Sequence, residues 1–98
     1  MTPRLSRLKH AVTVEHNCRA DHSGARVIVE RGPDGGVWRG KVEVFDLSGH
    51  PQADRCYAWT EKVARKTVCT TILRIPPVKS AQTAVRAILA RRHRRAES

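Results

Sequence analysis

The sequence is poor in aromatic residues, in acidic residues and in long apolar runs. Only 4% of its 98 residues are aromatic, namely two tryptophans, one tyrosine and one phenylalanine. No stretch approaches the ~18 consecutive apolar residues of a transmembrane helix, so we expect no membrane partner. The N-terminal region lacks the apolar core of a signal peptide, so we expect no export by that route.

Cysteine is also scarce, and its number is odd. Three cysteines cannot all pair within one chain, whereas disulfide-stapled secreted domains have a denser and even set. We therefore expect reduced thiols and a cytoplasmic protein.

Charge of one sign is abundant. Lysine and arginine total 19 against nine acidic residues, which gives a formal net charge of +10. Residues 1–10 carry Arg4, Arg7 and Lys9 without an acid, and residues 91–98 carry four arginines against one glutamate. The large aliphatic residues lie mostly between these ends. This distribution predicts a basic N-terminal extension (1–10), a single α+β domain (11–90) and a basic C-terminal tail continuing the last helix (91–98).

Short segments rich in β-branched residues predict most of the central region to be strand. Val12 and Val14 alternate with polar residues, which is typical of a half-buried strand. Residues 19–24 are polar and end in glycine, which favours a turn. Glycine and proline in 32–36 predict a second turn, because glycine supplies positive φ and proline presets the bend. Five strands are predicted, over residues 11–18, 25–31, 37–47, 55–60 and 67–75.

One helix is predicted after Pro76-Pro77. Ser80 is placed to cap it, and apolar residues recur at helical spacing from Ala81 to Leu89. The predicted fold class is α+β, an antiparallel β-meander of four to five strands with one C-terminal helix packed on one face.

Pairing of the strands on either side of the 48–53 loop assigns residues to two faces. With Leu47 opposite Asp54, Val44 meets Tyr57 and Val42 meets Trp59. This face, with Trp38, is the predicted partner of the helix. The other face then shows the residues Arg39, Lys41, Glu43, Phe45, Leu47, Cys56, Ala58, Thr60 and Lys62. We expect it to be open to solvent, a ligand or a second subunit.

The basic residues indicate contact with nucleic acid. Arginine forms bidentate hydrogen bonds with phosphate oxygens, and cations that neutralise phosphates release the counterions bound to the nucleic acid. The residues predicted to bind are Arg39, Lys41, Lys62, Arg91, Arg92, Arg94 and Arg95. The aromatic residues at 57 and 59 could instead stack on bases. The chain has only four aromatic residues, however, and the core under the helix needs them.

No constellation indicates a cofactor or catalysis. His16, Cys18 and His22 could converge, but their spacing matches none of the usual zinc patterns. Cysteines with His50 could form a nucleophile and a base, but no flanking motif marks them, and His50 before Pro51 fits a bend better. Residues 32–36 lack the lysine of a phosphate-binding loop. We therefore expect no metal and no cofactor, and the residues favour a non-catalytic protein.

The run of three strands and a helix over residues 37–92 resembles the double-stranded-RNA-binding fold. Lys79-Ser80 before an alanine-rich helix is similar to the basic helix start of that family. The family opens with an N-terminal helix, whereas residues 11–18 here alternate, and it has a cluster of lysines where this chain has one. No functional residue is carried over from it.

Two functions are therefore expected from the sequence. The first is a small basic domain that binds DNA or RNA through phosphates. The alternative is a homodimer or a protein-interaction domain, which would use the open sheet face around Phe45, Leu47 and Ala58.

Overall fold

Two helices enclose a four-stranded sheet. The computed structural model describes residues 1–97 and the side chains of residues 1–96. Its elements in chain order are α1 (Pro3–His16), β1 (Arg19–Arg31), β2 (Val37–Ser48), β3 (Arg55–Val63), β4 (Lys66–Leu73) and α2 (Ala81–Glu97). The strands form one antiparallel sheet in the order β1-β2-β3-β4. The α+β class, the meander and the C-terminal helix are confirmed, and one further helix precedes the sheet.

The strand predicted over residues 11–18 is wrong, because these residues belong largely to α1. Thr2 caps this helix by accepting a hydrogen bond from the Leu5 amide, and Asn17 ends it with a left-handed φ of 49°. Val12 is fully buried and Val14 is 66% exposed, so the two valines do not share a face. Leu8, within the predicted N-terminal extension, is also fully buried.

The turn predicted over residues 19–24 is likewise strand. These residues open β1, whose register with β2 shifts between His22 and Gly24. Such a bulge adds one residue to a strand without ending its ladder. The polar composition of this segment reflects exposure at a sheet edge and not a chain reversal.

The α2 side of the sheet carries one core cluster. Val44 lies opposite Tyr57 and Asp46 lies opposite Arg55, as predicted, and the Leu47 amide donates to the Asp54 carbonyl. The cluster joins β1, β2, β3 and the helix through Ile28, Val42, Tyr57, Trp59, Val78, Ala81, Ala84, Val85 and Ile88, with Trp38 packed against it. The prediction that the aromatic face packs on the C-terminal helix is therefore confirmed.

The α1 side of the sheet carries a second cluster. Here α1 covers Ala20, Phe45, Leu47, Cys56 and Ala58, all of them buried. The expectation of an open face around Phe45, Leu47 and Ala58 is therefore wrong, because the N-terminal helix occupies it. The other half of this face, toward the two hairpin turns, stays exposed.

Caps and turns follow their local chemistry. Ser80 caps α2 as predicted, since its Oγ accepts from the Thr83 amide at 3.3 Å. In the 32–36 turn, Asp34 accepts from the Gly36 amide, and Gly35 adopts a φ of 88° that glycine tolerates. Within residues 1–97, neither helix is long and apolar enough to cross a membrane.

Candidate functional site

The exposed half of the α1-side face holds three of the predicted binding residues. Register places Arg39 opposite Val29 and Lys41 opposite Val27 on this face, and Lys62 lies opposite Thr67 in the neighbouring hairpin. All three cations are exposed. Val27 and Val29 are 76% and 49% exposed beside them, so the surface is cationic with apolar patches.

A buried ionic cluster borders this surface. Glu43 is 2% exposed and its carboxylate lies 2.6 Å from Arg4 and 2.9 Å from His22. Arg4 also donates to the Lys41 carbonyl at 2.8 Å and to the Thr60 hydroxyl at 3.2 Å, which ties α1 to β2 and β3. Burial raises the pKa of Glu43, but the hydrogen bonds from Arg4 and His22 outweigh it, so the pKa lies below its usual value.

Acidic side chains in residues 1–96 are engaged within the molecule. Six carboxylates form ion pairs with arginine, namely Asp21, Glu30, Glu43, Asp46, Asp54 and Glu61. Glu15 accepts from the Thr71 hydroxyl, and Asp34 accepts from a turn amide. The acidic side chains of residues 1–96 are therefore already engaged, while lysine and arginine outnumber acids by 19 to nine in the sequence.

Six of the exposed cations lie together at one end of the sheet. Both hairpin turns, 32–36 and 64–65, lie at this end, because antiparallel β1 and β3 finish where β2 and β4 begin. We call it the cationic end and define it by Arg31, Arg39, Lys41, Lys62, Arg65 and Lys66, which are all exposed. Among them, Lys41 approaches the buried Glu43 at 3.8 Å, and the other five make no ion pair within the described residues.

The predicted arginines of α2 lie on the other side of the sheet. Arg92 binds Glu61 through two hydrogen bonds of 3.0 and 2.7 Å. Glu61 also accepts from the indoles of Trp38 and Trp59 at 3.2 and 2.9 Å. The Arg92 hydrogen bonds, with the indole donors, outweigh burial and lower the pKa of Glu61 to about 2. Arg91, Arg94 and Arg95 are exposed on the last turns of the same helix.

The three residues considered as metal ligands are directed to different partners. His16 Nε2 lies 2.9 Å from the Thr71 hydroxyl, and His22 Nε2 lies 2.9 Å from Glu43. Cys18 packs against the α1-side core. Among residues 1–97, no group of three or more histidine, cysteine or acidic side chains is arranged to hold a metal ion.

Cys56 and His50, considered as a nucleophile and a base, each lie in a different local environment. Burial raises the pKa of the Cys56 thiol to about 12, so this cysteine stays protonated and unreactive at neutral pH. His50 Nδ1 accepts from the Gln52 and Ala53 amides at 3.1 Å. These bonds confirm that His50 shapes the bend before β3.

Several of these residues were not singled out from the sequence. Arg31, Arg65 and Lys66 flank predicted strands or connections, and their common position follows only once both hairpin turns are known to share one end. Glu43 and Glu61 lie in strands among exposed charges, and nothing in their spacing indicates that they are buried or bridged.

Comparison of the chain with protein-family models, with curated proteins and with solved structures finds no match in any of the three.

Proposed function

We propose that this protein is a non-catalytic domain that binds nucleic acid through phosphate contacts at the cationic end. The observation that supports this is a cluster of unpaired cations. Six carboxylates are paired with arginines, whereas Arg31, Arg39, Lys62, Arg65 and Lys66 lie together without an ion pair in the part of the chain that the structure describes. Exposed cations of this kind attract polyphosphates over a Debye length of about 8–10 Å.

The geometry favours backbone contacts over base readout. The tryptophans, which could stack on bases, are bound to Glu61 on the α2 side of the sheet. The exposed half of the α1 side offers guanidinium and ammonium groups between valines. Such groups hold phosphates with little dependence on sequence, and we expect DNA and RNA to be bound with similar affinity.

The test is a salt titration of binding to random DNA and random RNA, followed by fluorescence anisotropy. For the double variant Arg39→Gln and Lys62→Gln we expect the slope of log K against log salt to fall in magnitude by about 1.4–1.8, because each phosphate contact contributes about 0.7–0.9. The matched control is Arg7→Gln with Lys9→Gln on α1, which should keep the wild-type slope. Absence of binding at low salt, or equal slopes in all three proteins, would refute the proposal.

A second candidate function is self-association through the same surface. It is favoured by the exposed valines, since Val27, Val29 and Val37 are 76%, 49% and 60% exposed on one face. It is opposed by like charge, because a symmetric pair would bring Arg39 and Lys41 toward their own copies. Light scattering at low and high salt distinguishes the two. A dimer that persists at low salt and does not bind nucleic acid would favour this candidate.

A further inference from the structure

A groove runs along the outer side of β4. Its larger part is a cavity of about 610 Å³ between the end of α1, β4, the 75–78 segment and α2. A smaller cavity of about 220 Å³ continues it along the strand. Glu15, Thr71 and Arg91 line both cavities, so the two form one channel. We call it the β4 groove.

The floor of this groove is an unpaired strand edge. Among residues 1–97, where the sheet order is β1-β2-β3-β4, β4 has a strand neighbour on one side only. Edge strands present free amide and carbonyl groups to solvent, which makes them templates for a further strand. The other edge of the sheet is partly closed, because Gln82 on α2 donates to the Val29 carbonyl at 3.0 Å.

The register identifies which backbone groups point into the groove. The Arg74 amide donates to the Arg55 carbonyl at 2.8 Å, so Arg55 and Arg74 form a hydrogen-bonded pair. Two residues further along the ladder, Tyr57 and Ile72 lie opposite each other and form the next hydrogen-bonded pair. Since hydrogen-bonded and non-bonded pairs alternate along an antiparallel ladder, Thr67, Cys69 and Thr71 direct their amides and carbonyls outward. The Leu73 carbonyl also points away from β3, because it accepts a hydrogen bond from the Ile75 amide.

The two walls of the groove differ in charge. On the α2 side, Arg91 and Arg94 stand beside the apolar surface of Ala87 and Ala90. Arg91 is exposed and makes no hydrogen bond or ion pair within the described residues. On the α1 side, Glu15 accepts from the Thr71 hydroxyl at 2.8 Å and contributes negative charge.

From these features we propose that the β4 groove binds an extended peptide segment of a partner protein as an added strand, with acidic side chains at every second position. Successive side chains of a strand point to opposite faces, so alternate residues meet the α2 arginines and the α1 wall. Carboxylates complement Arg91 and Arg94, whereas the positions facing Glu15 take neutral residues. Backbone pairing supplies affinity and the alternating walls supply selectivity.

The same charges argue against a second copy of this chain as the occupant. Pairing of β4 with its own copy about a twofold axis would place the two α2 helices on the same side of a continuous sheet. The Arg91 and Arg94 side chains of both copies would then face like charge, which destabilises the pair.

The test uses a fluorescein-labelled heptapeptide of alternating valine and glutamate, with an alternating valine and lysine peptide as the control. We expect saturable binding of the acidic peptide alone. Arg91→Glu should weaken this binding about tenfold, because reversing one exposed charge replaces an attraction by a repulsion of similar size. Arg7→Glu on α1 should change it less than twofold.

Hydrogen exchange measured by NMR locates the peptide. We expect the amides of Thr67, Cys69 and Thr71 to be slowed when the acidic peptide binds, while the exchange of the Val29 amide stays unchanged. The Arg39→Gln and Lys62→Gln variant should bind the peptide normally, which separates this site from the proposed nucleic-acid site.

Three results would overturn the proposal. The first is that no binding is seen at millimolar acidic peptide, and the second is equal binding of the lysine peptide. The third is protection of the three amides in the free protein that rises with its own concentration, which would assign the edge to a second copy.

Discussion

Glu61 accepts hydrogen bonds from Trp38, Trp59 and Arg92, so one carboxylate joins β2, β3 and α2. Thr70 of β4 donates to it as well, at 3.2 Å. A carboxylate with this many donors is stabilised in its charged form. At the residue scale, the position of the C-terminal half of α2 therefore depends on the ionisation of one side chain.

This dependence predicts a pH effect on stability. The pKa of Glu61 is lowered from 4.5 to about 2, so its contribution is complete above about pH 4.5 and is lost as the pH falls toward about 2. We expect Glu61→Gln to lower the free energy of unfolding at pH 7 by about 2 kcal/mol and to flatten its pH dependence in this range. Urea denaturation between pH 2 and 7, followed by tryptophan fluorescence, measures both effects.

Thr70→Val provides the graded comparison for this prediction. It removes one neutral donor and leaves Arg92 in place, so it should cost about 1 kcal/mol. A Glu61→Gln variant whose stability curve runs parallel to the wild type from pH 4.5 to 2 would contradict the assignment.

At the scale of elements, α1 is the part of the fold that differs most from expectation. Its β-branched residues have low helix propensity, and tertiary packing overrides propensity of this size. Leu8 and Val12 are four residues apart and fully buried, which places them on one helical face over the sheet. Thr2, Pro3 and Asn17 are helix start and stop signals that could have indicated this element from the sequence.

Packing of α1 on the sheet predicts unequal effects of two similar truncations. We expect Leu8→Ala to lower the free energy of unfolding by about 3 kcal/mol, because it leaves a cavity in the α1-side core. Val14→Ala, at a position that is 66% exposed, should change it by less than about 0.5 kcal/mol. Urea denaturation monitored by circular dichroism compares them, and equal small losses would mean that α1 is not docked.

At the scale of the whole molecule, charge and stability are coupled through the basic C-terminal segment. The sequence separates residues 91–98 from the domain as a tail. Ser98 lies outside the described residues, but Arg92 within this segment holds Glu61 from α2. Residues 91–97 are thus part of α2, and their removal would alter more than a binding surface.

Deletion of residues 91–98 is accordingly expected to destabilise the whole domain. Loss of the Arg92 hydrogen bonds should cost about 2 kcal/mol, which corresponds to a fall in Tm of about 10 °C for a domain of this size. Arg91→Gln with Arg94→Gln, which keeps Arg92, should leave Tm within a few degrees of the wild type. Differential scanning calorimetry compares the deletion, the double variant and the wild type, and an unchanged Tm in the deletion would show that the Arg92–Glu61 pair contributes nothing to stability.

Local chemistry made much of the architecture predictable. The β-branched and aromatic segments over β2, β3 and β4, the glycine turn at 32–36 and the Ser80 cap all lie where their residues indicate. The pairing of Val44 with Tyr57 is as predicted, although the 48–53 loop is long enough for the register to slip, which would exchange the two faces. These features depend on neighbours close in sequence.

The candidate sites were less predictable, because they depend on residues far apart in the chain. The alternation of Val12 and Val14 with polar residues is typical of a strand. Only the tertiary structure shows that this segment is a helix, which covers Phe45, Cys56 and Ala58. The same helix closes the face expected to be open and leaves the cationic half exposed. The groove along β4 likewise exists only because two helices flank the last strand.

The sequence by itself determined the net charge of +10, the α+β class, the main strands and the capped C-terminal helix. These follow from composition, periodicity and turn chemistry, which act over a few residues. Only the tertiary structure decided which cations remain without a carboxylate, which sheet face α1 covers and which strand edge stays open. The physical reason is that burial and ion pairing are set by contacts between residues as distant as Arg4 and Glu43 or Glu61 and Arg92.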